Sequence, residues 1–287
     1  MDTVPFRRVA IIGTGLIGGS FALALRELFP GAWLVGYSRA GSSERARAAG
    51  IVNEATTDLT AALRGADLVY IAMPIGATID SLALIARSVA PNALVTDACS
   101  TKTAVCRAAM NHFRSGALFL GGHPMAGKEE SGIEHADANL FRGAPYALMG
   151  IELDPDPRAK VFAEAIRAMG ARPIWTDPET HDWAVGIVSH LPQLVSVALA
   201  RVVQDETDET GLPLSLSGSG LQDMLRLAGS PYDVWRDILL TNTDNVRRAL
   251  DRLAQALDYL RVNLARKELQ QEFQAANEIY KQIRKQA

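Results

Sequence analysis

The chain has 287 residues, 48% of them hydrophobic, which is more than one compact core usually absorbs and suits two domains. A net charge of −3, a pI near 6.0 and scattered basic residues exclude the electrostatic footprint of a nucleic-acid binder. Two cysteines, Cys99 and Cys106, make no disulfide framework, and the histidines at 112, 123, 135, 181 and 190 show no metal-ligand spacing on one helix face.

The first residues lead directly into a strand pattern rather than a signal peptide. No uninterrupted apolar stretch of the ~18–20 residues needed to cross a bilayer is expected, so the expected location is cytoplasmic. Arg7 to Ile12 reads as an apolar strand, Gly13-Thr14-Gly15-Leu16-Ile17-Gly18 follows at once, and a helical pattern runs from Ser20 to Glu27. This is a dinucleotide fingerprint between a strand and a helix. Gly13 permits the tight turn, Gly15 lets the backbone approach a pyrophosphate, Gly18 permits close helix–strand packing, and Leu16 and Ile17 open the helix that faces the anion.

The next strand, Trp33 to Tyr37, ends where an acidic residue would bind ribose hydroxyls, and the chain has Ser38-Arg39 there instead. A hydroxyl and a guanidinium can hold a 2′-phosphate, which favours NADP with NAD as the other possibility; the alternative role for Arg39 is stacking on adenine. Two further strands follow. Asp67 to Ala72 delivers Met73-Pro74 to the cofactor crevice, and Ala93 to Asp97 delivers Ser100 and Lys102. Ser100 reads either as a helix cap or as a crevice residue. With helical patterns between these strands, the expected fold is α/β, a Rossmann-type doubly wound parallel sheet.

Leu118-Phe119-Leu120 reads as one more strand, followed by Gly121-Gly122-His123 in a glycine-rich turn. His123 is either a catalytic base at the carboxyl end of that strand or a turn histidine that caps a loop. From about Asp154 the strand signals fade, dividing the chain into a dinucleotide-binding domain at 1–154 and a helical domain at 155–287. His181 to Val203 reads as one helix that Pro192 kinks, with His190 beside the kink as either a core residue or a site residue. Arg226 follows Gly220 to Leu225 among apolar neighbours and needs a carboxylate, either Asp223 or a substrate's. Val246, Leu250, Leu253, Leu257, Leu260 and Leu264, then Leu269, Phe273, Ala276, Tyr280 and Ile283, recur at helical spacing. Part of that surface is expected to bury a second subunit.

These residues together resemble the prephenate/arogenate dehydrogenase family of tyrosine biosynthesis. The resemblance rests on Gly13 to Ser20, Asp97 to Lys102, Gly122-His123-Pro124-Met125-Ala126-Gly127, Ser189-His190-Leu191-Pro192, and Asp223-Met224-Leu225-Arg226 followed by Trp235-Arg236-Asp237-Ile238. It implies a nucleotide-binding domain joined to an all-helical domain that forms a homodimer, with the active site between them. It also implies oxidative decarboxylation of a cyclohexadienol with hydride transfer to NAD(P). By that resemblance His123 accepts the ring hydroxyl proton, Ser100 orients His123 or the nicotinamide, and Arg226 holds a substrate carboxylate. No metal is implied.

Gln193 stands where many prephenate-using members have a second histidine, and Lys128 replaces a small hydroxyl residue beside Glu129, which the family uses near the cleft. His190, Gln193, Lys128 and Glu129 are thus expected around the substrate, and Ser38-Arg39 resembles the NADP-using, arogenate-specific branch. The rival readings are another two-domain Rossmann oxidoreductase, of β-hydroxyacid dehydrogenase or imine reductase type, and a non-catalytic cofactor sensor.

Overall fold

The computed structural model describes residues 5–114, 116–128, 130–150 and 155–286. Strands and helices alternate through the first part as β1 (Arg8–Ile12), α1 (Leu16–Leu28), β2 (Trp33–Tyr37), α2 (Ser42–Ala48), β3 (Glu54–Thr56) and α3 (Leu59–Leu63). The alternation continues through β4 (Leu68–Ile71), α4 (Ile75–Ser88), β5 (Leu94–Asp97), α5 (Thr103–Met110) and β6 (Leu118–Leu120). The six strands form one parallel sheet in the order β3-β2-β1-β4-β5-β6. Helices cover both faces, which is why the central strands are continuous apolar runs buried along their length. Strand order reverses between β1 and β4, and the crevice at their carboxyl ends is where such a sheet binds nucleotides.

A second, smaller sheet follows: β7 (Gly122–Pro124), β8 (Pro145–Met149) and, after α6 (Pro157–Ala168), β9 (Arg172–Thr176). His123 therefore lies on a strand, opposite Ala147 of β8, and not in a turn as the sequence suggested. The two glycines before it fit the chain into a space with no room for side chains. A Cβ on Gly121 would lie 2.7 Å from the Cys106 sulfur, and one on Gly122 would lie 2.7 Å from the Asp97 carbonyl oxygen.

The junction expected at Asp154 falls outside the described residues. On either side of it the first unit continues: Phe162 and Ile166 of α6 share a buried cluster with Phe21 of α1 and Tyr70 of β4, and β9 pairs with β8. The strand signal of β9 is weak because its burial is only partial. From Pro178 onward the described residues form helices and no strand.

That helical unit comprises α7 (Pro178–Val185), α8 (Leu191–Asp205), α9 (Leu212–Ser215), α10 (Ser219–Leu225), α11 (Tyr232–Thr241), α12 (Thr243–Asn263) and α13 (Leu269–Gln286). Where the kink was expected the helix takes a π-helical turn, Gly186–His190, just before Pro192. Proline cannot donate into the α-helical ladder, and one wider turn absorbs the missing bond. The segment from Gly220 to Arg226 is α10 running into a 3-10 turn, Arg226–Gly229.

One expectation fails outright. Residues 183–200 contain no Asp, Glu, Lys or Arg, and Pro178–Asp205 is long and apolar enough, by length and composition, to cross a bilayer. The π turn and α8 are inverted, however. His190, Gln193 and Ser196 are buried, whereas Val188, Val197 and Val202 point outward. The stripes of α12 and α13 are likewise outward: Leu257, Leu264, Phe273, Tyr280 and Ile283 are all exposed in the single chain.

Candidate active site

The fingerprint glycines do what their spacing requires. Gly13 has φ +99°, and a Cβ there would meet the Ala72 carbonyl oxygen at 2.3 Å; one on Gly18 would lie 1.9 Å from the Gly13 carbonyl oxygen. Gly15 faces open space and begins α1 with no side-chain cap, so the N–H groups of the first turn, where Leu16 and Ile17 lie, remain available to an anion. This cradle fits a dinucleotide pyrophosphate. Ser38 is buried, and its Oγ accepts the Ser42 N–H at 3.0 Å, whereas Arg39 is exposed at a slot that Met73 and Pro74 also line. Ser100 lines a neighbouring cavity of about 310 Å³ with Met73, Pro74 and Cys99.

His123 is 8% exposed, and its Nδ1 lies 2.8 Å from His181 Nε2. His181 Nδ1 in turn lies 2.9 Å from Asp182 Oδ1. Asp182 is held by the N-terminus of α5: its Oδ1 accepts the Lys102 N–H at 2.7 Å and its Oδ2 accepts the Thr103 N–H at 2.9 Å. Helix α7 is thereby keyed to the nucleotide-binding unit. Burial alone would raise the Asp182 pKa, but the bonds from His181, Lys102 and Thr103 outweigh it and hold the carboxyl below its ordinary value. Burial, with the nearby His181, Lys102 and His190, holds His123 well below the usual imidazole range, so His123 is neutral and able to accept a proton.

Beneath β7 lies a fully buried ion pair. Lys102 Nζ bonds the Asp97 carboxylate and donates to the Gly122 carbonyl at 2.7 Å, and Asp97 Oδ1 accepts the Gly122 N–H at 3.1 Å. Burial opposes the ammonium, but Asp97 beside it keeps Lys102 charged. Lys102, read from the sequence as a crevice residue, is thus part of a clamp: with Asp97 it holds both the carbonyl and the N–H of Gly122, the residue before His123.

Other expected residues are placed differently from the sequence reading. Gln193 is buried and donates to the Leu227 carbonyl at 2.8 Å, tying α8 to the 3-10 turn instead of presenting its amide to a ligand. His190 packs edge-on against Trp235, and its Nδ1 lies 3.1 Å from Asn242 Nδ2; burial lowers its pKa to about 4, so it is a core histidine of the kink. Lys128 is exposed and pairs with Asp137 at 3.1 Å, and Glu129 lies outside the described residues. Arg226 is exposed at the head of its turn, so the argument from apolar burial does not hold in the single chain. Among the described residues no hydrogen bond joins Ser100 to His123; the partner of His123 is His181. Sequence reasoning missed His181 and Asp182. The available signal was an adjacent histidine and aspartate in the first turns of a helix opened by Asp177 and Pro178.

Comparison with known proteins agrees with this architecture. The family model for the prephenate dehydrogenase nucleotide-binding domain matches residues 21–175, and that for the prephenate dehydrogenase dimerization domain matches residues 177–278. The prephenate dehydrogenase of Lactococcus lactis is 30% identical over 266 residues, covering 92% of this chain and 73% of that protein. The crystal structure of prephenate dehydrogenase from Aquifex aeolicus in complex with hydroxyphenyl propionate and NAD+ superposes with a TM-score of 0.88 at 29% identity, covering 96% of this chain and 98% of that one. Synechocystis arogenate dehydrogenase gives 0.81 at 31% identity, covering 96% and 99%. A parallel nucleotide-binding sheet, an all-helical second half and matches to both family domains place this chain in the prephenate dehydrogenase family.

Proposed function

We propose that this protein oxidatively decarboxylates prephenate or arogenate, with NADP favoured over NAD as the hydride acceptor. The observation that carries the reading is the His123–His181–Asp182 chain, set beside a glycine cradle that fits a dinucleotide. A nicotinamide bound in the cradle supplies the hydride acceptor. The chain's own task is then to take one proton and to position the ring. Asp182 accepts the Nδ1 proton of His181, so in the neutral pair His181 Nε2 is an acceptor for the Nδ1 proton of His123. That leaves His123 Nε2 with its lone pair free to receive the substrate hydroxyl proton as the ring carbon gives up its hydride. Such a base contributes about 10²–10⁴-fold. Loss of carbon dioxide then makes the ring aromatic.

Ser100, in the cavity beside Met73 and Pro74, is assigned to the nicotinamide end of the crevice and not to His123. Arg226 is assigned to a substrate carboxylate. Its turn is braced by Gln193 on the Leu227 carbonyl and by Ser196 Oγ, which accepts the Ala228 N–H at 2.9 Å. Arg39 is assigned to the adenosine end of the cofactor, where a guanidinium favours a 2′-phosphate. The outward apolar faces of α8, α12 and α13 are assigned to a second copy of the chain. Burial in a homodimer accounts for an apolar helix in a cytoplasmic protein better than a lone membrane span does, because the inner face of α8 is polar and already hydrogen-bonded.

The test is the initial rate of nicotinamide reduction with prephenate and with arogenate, each with NADP and with NAD, alongside the mass at sedimentation equilibrium. A rate with either substrate supports the reaction, and a higher kcat/KM with NADP supports the role of Arg39. No rate in any pairing, from a protein that binds dinucleotide, would overturn the dehydrogenase reading, and a monomeric mass at micromolar concentration would overturn the dimer.

A further inference from the structure

The adenosine end of the crevice is a slot of about 570 Å³, and it is walled by both units of the chain. Arg39, Pro74, Gly76 and Asp80 come from the nucleotide-binding unit, and Arg236 and Asp237 come from α11 of the helical unit. Asp237 is committed on both oxygens: Oδ2 accepts the Gly76 N–H at 3.0 Å, and Oδ1 accepts Arg236 Nε–H at 3.1 Å. The first bond clasps α11 to the start of α4. The second aims the Arg236 guanidinium while leaving its Nη groups without a hydrogen-bond partner among the described residues. One turn further along α4, the Asp80 carboxylate lines the same slot and likewise carries no hydrogen bond or ion pair among the described residues.

A donor held by one unit and an acceptor held by the other form the complement of an adenine edge, which offers an N6 amino donor next to a ring-nitrogen acceptor. We propose that Arg236 and Asp80 together read the adenine base of the cofactor, Arg236 donating to ring nitrogen N7 and Asp80 accepting from the N6 amino group. The assignment rests on the nicotinamide-dinucleotide reading above. It gives the helical unit a direct share in cofactor affinity, so that adenine tightens the clasp between α11 and α4. Arg39 remains available for the ribose side of the same slot.

The experiment is calorimetric titration of the purified protein with ADP-ribose and with its hypoxanthine counterpart, in which a carbonyl replaces the N6 amino group. Circular dichroism and Tm serve as the fold check. Wild type is expected to bind ADP-ribose about tenfold more tightly than the hypoxanthine analogue. Arg236→Ala should weaken both ligands by about tenfold, because N7 is an acceptor in adenine and in hypoxanthine alike. Asp80→Asn should weaken ADP-ribose alone and erase the discrimination. Unchanged ADP-ribose affinity in Arg236→Ala, or discrimination preserved in Asp80→Asn, would overturn the proposal while leaving the dehydrogenase reading intact. A wild-type protein that binds neither ligand would overturn the dinucleotide reading and this proposal with it.

Discussion

Replacing His181 with Phe removes the acceptor for His123 Nδ1 while keeping a ring of similar size in a site that is 4% exposed. Asp182 keeps its two backbone partners, Lys102 N–H and Thr103 N–H, so α7 stays keyed to α5. His123 is then free to carry its proton on Nε2, the nitrogen that the proposed mechanism requires to be bare. A hydrogen bond of this kind is worth about 1–3 kcal/mol, and at about 1.36 kcal/mol per decade its loss converts to roughly 5- to 150-fold in the ratio of the competent tautomer to the other. The expected result is a kcat lower by that factor with an unchanged KM for the dinucleotide. His181→Gln, which restores an acceptor oxygen, should recover part of it. His123→Ala should fall further, by about 10²–10⁴-fold. The assay is steady-state nicotinamide reduction, with Tm and circular dichroism as the fold control. A kcat for His181→Phe within about threefold of wild type would refute the chain of tautomers.

Lys102→Met leaves Asp97 buried without its counter-charge and should cost about 3–5 kcal/mol in urea denaturation, because an unpaired buried carboxylate is far worse than an absent pair. Gly18→Ala places a methyl 1.9 Å from the Gly13 carbonyl oxygen, so dinucleotide affinity measured by fluorescence titration should fall at least tenfold (about 1.4 kcal/mol) while the helical content is retained. Stability should decline as pH drops below 6.5: His123 and His190 resist protonation in the folded chain, whereas the unfolded chain takes up both protons first. With a folded value of about 4, His190 alone should cost on the order of 3 kcal/mol by the time pH 4 is reached. A denaturation midpoint that stays flat between about pH 7 and pH 5 would contradict this.

The nucleotide-binding half was legible because its signals are local. The run from Arg7 to Gly18 contains strand, turn and helix start in one stretch, and the structure reproduces that order with the glycines in close contacts. The amphipathic stripes of α12 and α13 were legible for the same reason, since helical spacing survives whether the face meets its own chain or another. Less legible were β7, β8 and β9. They are short strands, β9 only partly buried, whose pairing depends on partners far along the chain, and β-strand formation is decided by such partners more than by propensity.

Residue type and spacing within one segment are enough for the Rossmann cradle and for a helical second half, and they single out His123 as a candidate base. Only the tertiary structure decided what surrounds His123. Its partner His181 lies 58 positions away, Asp182 is fixed by the amides of Lys102 and Thr103 about 80 positions back, and Gln193 is spent on the chain's own backbone. A buried hydrogen bond forms wherever packing brings a donor and an acceptor together, and the spacing of residues along the chain carries no record of that meeting.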